Sequence, residues 1–215
     1  MAAGSGRRFG NHANKLLRNL AGKPVVTHCL AVFLQKITPA NLIMVIPKDQ
    51  EEDFRNAFAA GNLPSESIQC VPGGDKRQDS VIEGLRRLPG KVEIAAIHDA
   101  ARPRVSLELF RRCVQSARER GSGIAARRVV DTIKSANAEG KVINTLDRET
   151  LWAVETPQIF NRTEIESGYQ QVLEQGKTVT DDAAAVELLG APVYLVEHNQ
   201  NNQKITYPED LPEGS

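Results

Sequence analysis

Three short stretches concentrate residues able to handle anions. "AAGSGRR" sets Gly4 and Gly6 ahead of Arg7 and Arg8, with Lys15 a few residues on. Glycines let a ligand approach the backbone closely, and the N–H groups that follow can form an anion-binding nest. Arginine adds a planar fork that fits phosphate oxygens. The loop is neither a P-loop nor a dinucleotide fingerprint: no Gly-Lys-Ser/Thr follows, and Gly10 falls one place too late. Read alone, it is equally a basic N-terminal tail. "GGDKRQDSV" (73–81) puts Gly73 and Gly74 in a tight turn, then Asp79 or Ser80 in the first turn of a helix, where N–H groups are free. "IHDAARP" (97–103) carries Asp99, a hard oxygen ligand suited to Mg²⁺, and Arg102, which can face another anion.

A fourth set is scattered. It comprises Asp131, Thr132 and Lys134 in "DTIK", Arg148 in "LDRETLW", Thr156 and Gln158 in "ETPQIF", Thr180 in "TDDAA", and Lys204 in "NNQKITYPEDL". Each alone is ordinary surface; hydroxyls and cations dominate the set. No nucleophilic triad, Cys–His pair or carboxylate dyad is evident. The chemistry therefore reads as charge neutralisation around phosphates, by positioning and electrostatics.

The elements that must hold these residues alternate. "NLIMVIP" (41–47), "SIQCV" (67–71), "VEIAAIHDA" (92–100) and "GIAARRVV" (123–130) read as strands. Helices are expected at 22–36, at 49–61, at 78–88 and at 106–121, the last with Ser106 as N-cap and Gly121 as its stop. Strands alternating with helices predict an α/β fold, a mostly parallel sheet covered on both faces. In such sheets ligands bind beyond the carboxyl ends of the strands, where Asp99 falls. Residues 130–160 break the rhythm and predict a hairpin arm, about 130–152, followed by a return to the sheet. A helix at about 162–175, a short one at 181–190 and a strand at 192–197 complete the chain.

Composition narrows the class. Lys plus Arg and Asp plus Glu are 27 each in 215 residues, so a general nucleic-acid coat is not indicated. With 40% apolar residues the chain can bury a core without staples, and one domain spanning 1–215 is expected. Cys29, Cys70 and Cys113 are odd in number and far apart, which fits reduced thiols in a cytoplasmic protein. His12, His28, His98 and His198 lack metal-ligand spacing. No apolar run suggests a membrane span, and no apolar secretory segment opens the chain.

Taken together, "AAGSGRRFG", Lys15, "GKPVVTHCL", "GGDKRQDSV", "HDAARP", "DTIK", "DRETLWAVETPQIF", "TDDAAAVE" and "NQKITYPEDL" resemble, in order and over residues 2–211, the 2-C-methyl-D-erythritol 4-phosphate cytidylyltransferase family. The resemblance implies a Rossmann-like nucleotidyltransferase fold, CTP and a sugar-alcohol phosphate as substrates, Mg²⁺, and a homodimer joined by the hairpin arm. The implied reaction is attack of the methylerythritol phosphate on the α-phosphorus of CTP, releasing pyrophosphate in non-mevalonate isoprenoid synthesis.

Carried over residue by residue, the resemblance implies that Ala2, Ala3, Gly4 and Gly6 bound the cytidine and triphosphate site. Arg8 and Lys15 would hold the triphosphate and stabilise charge as phosphorus is attacked. Gly74, Asp75 and Ser80 would contact the nucleotide, and Asp99 would hold Mg²⁺. Ala100 and Arg102 would lie beside cytidine and acceptor. Thr132 and Arg148, on the arm, would grip the acceptor in the partner subunit, while Thr156 and Thr180 line its pocket. Lys204 would neutralise the phosphates from the opposite side.

The chain also departs from the family's pattern. Members usually carry a short apolar strand before the glycine loop, whereas here Met1 directly precedes Ala2. A gap in the sheet and a less stable fold are expected. The chain stops at "PEDLPEGS", short of the terminal helix the resemblance suggests. Two alternatives remain open: a sister cytidylyltransferase acting on ribitol phosphate or another sugar-alcohol phosphate, and a degenerate nucleotide-binding homologue lacking the first strand.

Overall fold

The computed structural model describes residues 1–3 and 14–211. A two-residue hairpin, β1 (Asn19–Leu20) with β2 (Lys23–Pro24), leads into α1 (Val25–Phe33). Then follow β3 (Ile43–Ile46), α2 (Glu51–Ala60), β4 (Gln69–Pro72), α3 (Arg77–Arg86), β5 (Ile94–Ile97), α4 (Leu107–Arg120) and β6 (Ser122–Arg128). The arm is a hairpin of β7 (Lys134–Ala136) and β8 (Val142–Thr145). The chain returns as β9 (Trp152–Asn161) and ends with α5 (Arg162–Glu174), α6 (Asp182–Glu187) and β10 (Leu195–Glu197).

Local signals set the helix ends. Ser106 accepts a hydrogen bond from the Leu109 N–H at 3.0 Å, and Gly121 closes α4 in the left-handed region at φ 91°, where a side chain is unfavourable. Asn161 and Asp181 cap α5 and α6 in the same way, through the N–H groups of Thr163 and Ala184. Gly123 meets a different demand. A Cβ there would lie 2.1 Å from the Cys113 carbonyl oxygen, so only glycine lets α4 sit this close to β6.

Four strands form one sheet in the order β10-β6-β9-β5. β5, β6 and β10 run in one direction and β9 runs against them. The expected parallel character therefore holds for the short strands. The ten-residue return from the arm is the antiparallel member. β3 and β4 pair in parallel as a separate two-stranded sheet. Helices cover both faces. One apolar cluster joins α1, α2 and α4 through Val25, Phe54, Phe58, Leu109 and Cys113; the other joins α3, α5 and α6 through Val81, Leu85, Ile165, Tyr169 and Val186.

The expected gap is present among the described residues. β3 pairs only with β4, and β5 only with β9. An open groove lies between them, lined by Ile43, Val45, Leu85, Ala96 and Ile97. It is bridged at one end: the Ala2 N–H donates to the Val45 carbonyl at 2.7 Å, and the Ala100 N–H donates to the Met1 carbonyl at 2.9 Å. Among the described residues no helix is long and apolar enough to cross a membrane. The three cysteines are free; burial pushes the Cys29 thiol up to about 11 and the Cys113 thiol up to about 12, which leaves both protonated.

Candidate active site

Asp99 follows the carboxyl end of β5, and the site is built around it. Its backbone N–H donates to the Thr156 hydroxyl on β9 at 3.0 Å. The same hydroxyl lies 3.2 Å from His98 Nδ1, and His98 Nε2 lies 3.1 Å from the Arg102 carbonyl. A carbonyl only accepts, so the network assigns the proton to Nε2 and leaves Nδ1 to accept from Thr156. One buried imidazole thus ties the loop on both sides of Asp99. Burial above all holds the His98 pKa down at about 3.

Two cations face the Asp99 carboxylate. Lys204 Nζ donates to Oδ2 at 2.6 Å, and Arg77 Nη2 stands 3.6 Å from Oδ1. Burial alone would raise its pKa; Lys204 and then Arg77 outweigh that and hold the carboxyl well below the usual carboxylate range.

The segment carrying Lys204 has no helix or strand of its own at 199–206, so tertiary contacts fix it. The Ile205 N–H donates to the Ala101 carbonyl at 2.8 Å, and Lys15 Nζ donates to the Ile205 carbonyl at 2.7 Å. Arg102 Nη1 donates to the Asn202 carbonyl at 2.7 Å. Asn202 Nδ2 donates to Glu155 Oε2 and to the Thr156 carbonyl, both at 2.8 Å. Buried Glu155 also accepts from Arg127 at 2.7 Å and pairs with Arg102 at 3.4 Å. Its charge is therefore compensated by two guanidinium groups and an amide.

The glycine turn approaches from the other side. A Cβ on Gly73 would fall 2.2 Å from that of Ala3, so residues 2–3 lie directly on the turn. The Gly74 N–H donates to Ser80 Oγ at 3.1 Å, and that hydroxyl sits 3.1 Å from the Lys76 carbonyl. The Lys76 N–H donates to Asp79 Oδ2 at 3.1 Å, which caps the start of α3. Arg77 then forks onto both oxygens of Asp182, at 2.9 and 2.6 Å.

Lys15, Lys204, Asp99, Ala100, Arg102 and Thr156 thus come together at one end of the sheet, with Ala2, Ala3 and Gly74 alongside. Ser80 is buried and its hydroxyl serves the turn; Asp75 is exposed beside it. Thr180 is exposed just ahead of α6. Thr132 and Arg148 are exposed on the arm, where Arg148 Nη1 donates to the Val130 carbonyl at 2.9 Å. Gly4, Gly6 and Arg8 lie outside the described residues. Sequence reasoning gave no role to His98, Arg77, Glu155 or Asp182. An acid and a base in or beside buried apolar strands, as Glu155 and His98 are, was the available signal.

The donor set suits a divalent ion held through substrate. Among the described residues no group of three or more His, Cys, Asp or Glu side chains is placed to cage a metal. A single carboxylate completed by phosphates is how Mg²⁺ is usually bound at nucleotide sites. Asp99 fits that role once Lys204 gives up Oδ2.

The family model for IspD, 2-C-methyl-D-erythritol 4-phosphate cytidylyltransferase, matches residues 1–214. The enzyme of that name from Desulforamulus reducens is 40% identical over 210 residues, covering 98% of this chain and 90% of the relative. Its namesake from Bacillus velezensis is 40% identical over 211 residues, with 98% and 90% covered. Among solved structures, 4-diphosphocytidyl-2C-methyl-D-erythritol synthase from Anaerococcus prevotii superposes with a TM-score of 0.80 at 29% identity, covering 91% of this chain and 89% of that one.

Proposed function

The chain belongs to the 2-C-methyl-D-erythritol 4-phosphate cytidylyltransferase family, and on that premise we propose how its residues carry out cytidylyl transfer. It is an enzyme that transfers the cytidylyl group of CTP to 2-C-methyl-D-erythritol 4-phosphate. A phosphate oxygen of the acceptor attacks the α-phosphorus of CTP. The new P–O bond forms as the bond to the bridging oxygen breaks, and pyrophosphate leaves with the electron pair.

Two anions must meet, so cations carry the work. Lys15 and Arg8 hold the triphosphate and stabilise charge gathering on the α-phosphoryl oxygens. Lys204 leaves Asp99 for the phosphates, while Arg102 faces the acceptor. Ala2, Ala3, Gly4, Gly6, Gly74, Asp75, Ser80 and Ala100 bound the nucleotide, with Ser80 acting through the turn it closes. Thr156 and Thr180 line the acceptor pocket. Asp99 would hold Mg²⁺, which would supply positive charge to the phosphate oxygens. The observation that carries this reading is the 2.6 Å Lys204–Asp99 pair, which brings a cation 105 residues distant onto the carboxylate at the strand end.

The enzyme works as a homodimer in the cytoplasm. Val130, Val142 and Ile143 are 78%, 52% and 70% exposed on and beside the arm, an apolar surface that a second arm would cover. Thr132 and Arg148 then reach the acceptor bound by the other protomer.

The test is pyrophosphate release from CTP and Mg²⁺ with methylerythritol phosphate or ribitol phosphate as acceptor. Release with the first is expected, with turnover strongly reduced in Lys15→Ala. Turnover with ribitol phosphate alone overturns the substrate assignment. No release with either acceptor indicates a nucleotide-binding homologue, and unchanged turnover in Lys15→Ala removes Lys15 from the mechanism.

A further inference from the structure

The two cations on Asp99 differ in their freedom to leave it. Lys204 reaches Oδ2 on a flexible stem from a segment without regular structure, and its side chain is 39% exposed. Arg77 is the first residue of α3 and is anchored. Both of its terminal nitrogens donate to Asp182, whose side chain is 0% exposed. Asp182 also accepts from the hydroxyl of buried Tyr169 on α5 at 2.5 Å, and its N–H donates to Gln158 Oε1 on β9 at 3.0 Å. Pulling Arg77 away would strand a buried carboxylate, which is strongly unfavourable. An incoming phosphate can therefore draw off Lys204 but not Arg77.

From this we propose that Arg77 is a positioning residue that keeps the Asp99 carboxylate in place when Lys204 releases it to the phosphates. The proposal rests on the cytidylyltransferase reading, in which Asp99 serves a metal–nucleotide complex. Arg77 acts through Asp99 and touches no reacting atom. Asp182 and Tyr169 stand behind it as the fixed support. The role differs from simple charge compensation. A neutral replacement would remove a repelling charge as well as a support, so its two effects on a divalent ion would oppose one another. Lysine keeps the charge and loses the fork, which isolates positioning.

The experiment measures Mn²⁺ binding by the loss of its free-ion paramagnetic resonance signal, with CTP present and no acceptor, so that no turnover occurs. Arg77→Lys is expected to weaken Mn²⁺ binding by about tenfold, the scale typical of losing an outer support to a metal ligand. In turnover assays kcat should fall while KM for the acceptor stays unchanged. An unchanged Mn²⁺ dissociation constant overturns the proposal. Should Arg77→Lys fail to fold, Tyr169→Phe decides, because it removes only the hydroxyl behind Asp182: weaker Mn²⁺ binding supports the proposal and unchanged binding overturns it. A wild-type protein that neither retains Mn²⁺ with CTP nor releases pyrophosphate overturns the underlying reading instead.

Discussion

Lowering the pH should destabilise this protein well above the range where its carboxylates titrate, and His98 is the reason. The ring is buried, with Nε2 facing the Arg102 carbonyl and Nδ1 facing the Thr156 hydroxyl. Its pKa is about 3 in the folded chain against 6.5 ordinarily. Between those values the unfolded chain binds a proton that the folded chain refuses, so stability falls as pH falls. Integrating from about pH 7.5 to about pH 5.5 gives a loss of about 1.4 kcal/mol, and about 2.7 kcal/mol by about pH 4.5. The first figure barely changes for any folded pKa below about 4.5, because the protonated folded form is then negligible. Urea unfolding in metal-free buffer across this range measures it. His198 is also held low, chiefly by burial, and adds a slope of the same sign, so His98→Gln is the proper comparison. The difference in slope between wild type and His98→Gln should account for the 1.4 kcal/mol. Equal slopes in both proteins would refute the buried neutral imidazole. Asp99 adds to the loss only below its ordinary pKa of 3.8, since its folded value is depressed.

Gly123→Ala should cost about 3 kcal/mol in denaturant unfolding, because the new methyl meets the α4 backbone at Cys113 and not a movable side chain; a loss within about 0.5 kcal/mol of zero would mean α4 can shift freely. Ile143→Asp should convert the proposed dimer to monomer in sedimentation velocity, with the monomer's stability changed by less than about 0.5 kcal/mol. Unchanged sedimentation of a dimeric protein would place the interface elsewhere.

Much of the architecture was legible because apolar runs and helix caps are local signals. β3 and β5 fall within the expected strand windows, β4 and β6 each overrun theirs by one residue, and Ser106 and Gly121 bound α4 as read. The direction of β9 was not legible, since a strand returning from an arm has the same composition whichever way it runs. For the site, the strand-end position of Asp99 followed from the alternation of elements. Its partners did not, because Arg77–Asp182 and Lys204–Asp99 each span 105 residues and no local pattern encodes such pairs. Ser80 was legible as a residue of a helix's first turn, but not that its hydroxyl ties the Gly74 turn, a contact spanning six residues that spacing alone does not encode. His98 was one of four scattered histidines, and only the fold reveals that it braces the loop from within.

The groove between β3 and β5 has a consequence for amide exchange. The hydrogen bond from Arg162 to Glu93 sets the alternation that turns the amide and carbonyl of Ala96 toward the open side. Those of Ile43 and Val45 face back from β3, where the Val45 carbonyl accepts from the Ala2 N–H and, among the described residues, the amides of Ile43, Val45 and Ala96 meet no other strand. Deuterium should therefore enter at these amides while the β6–β9 ladder still resists.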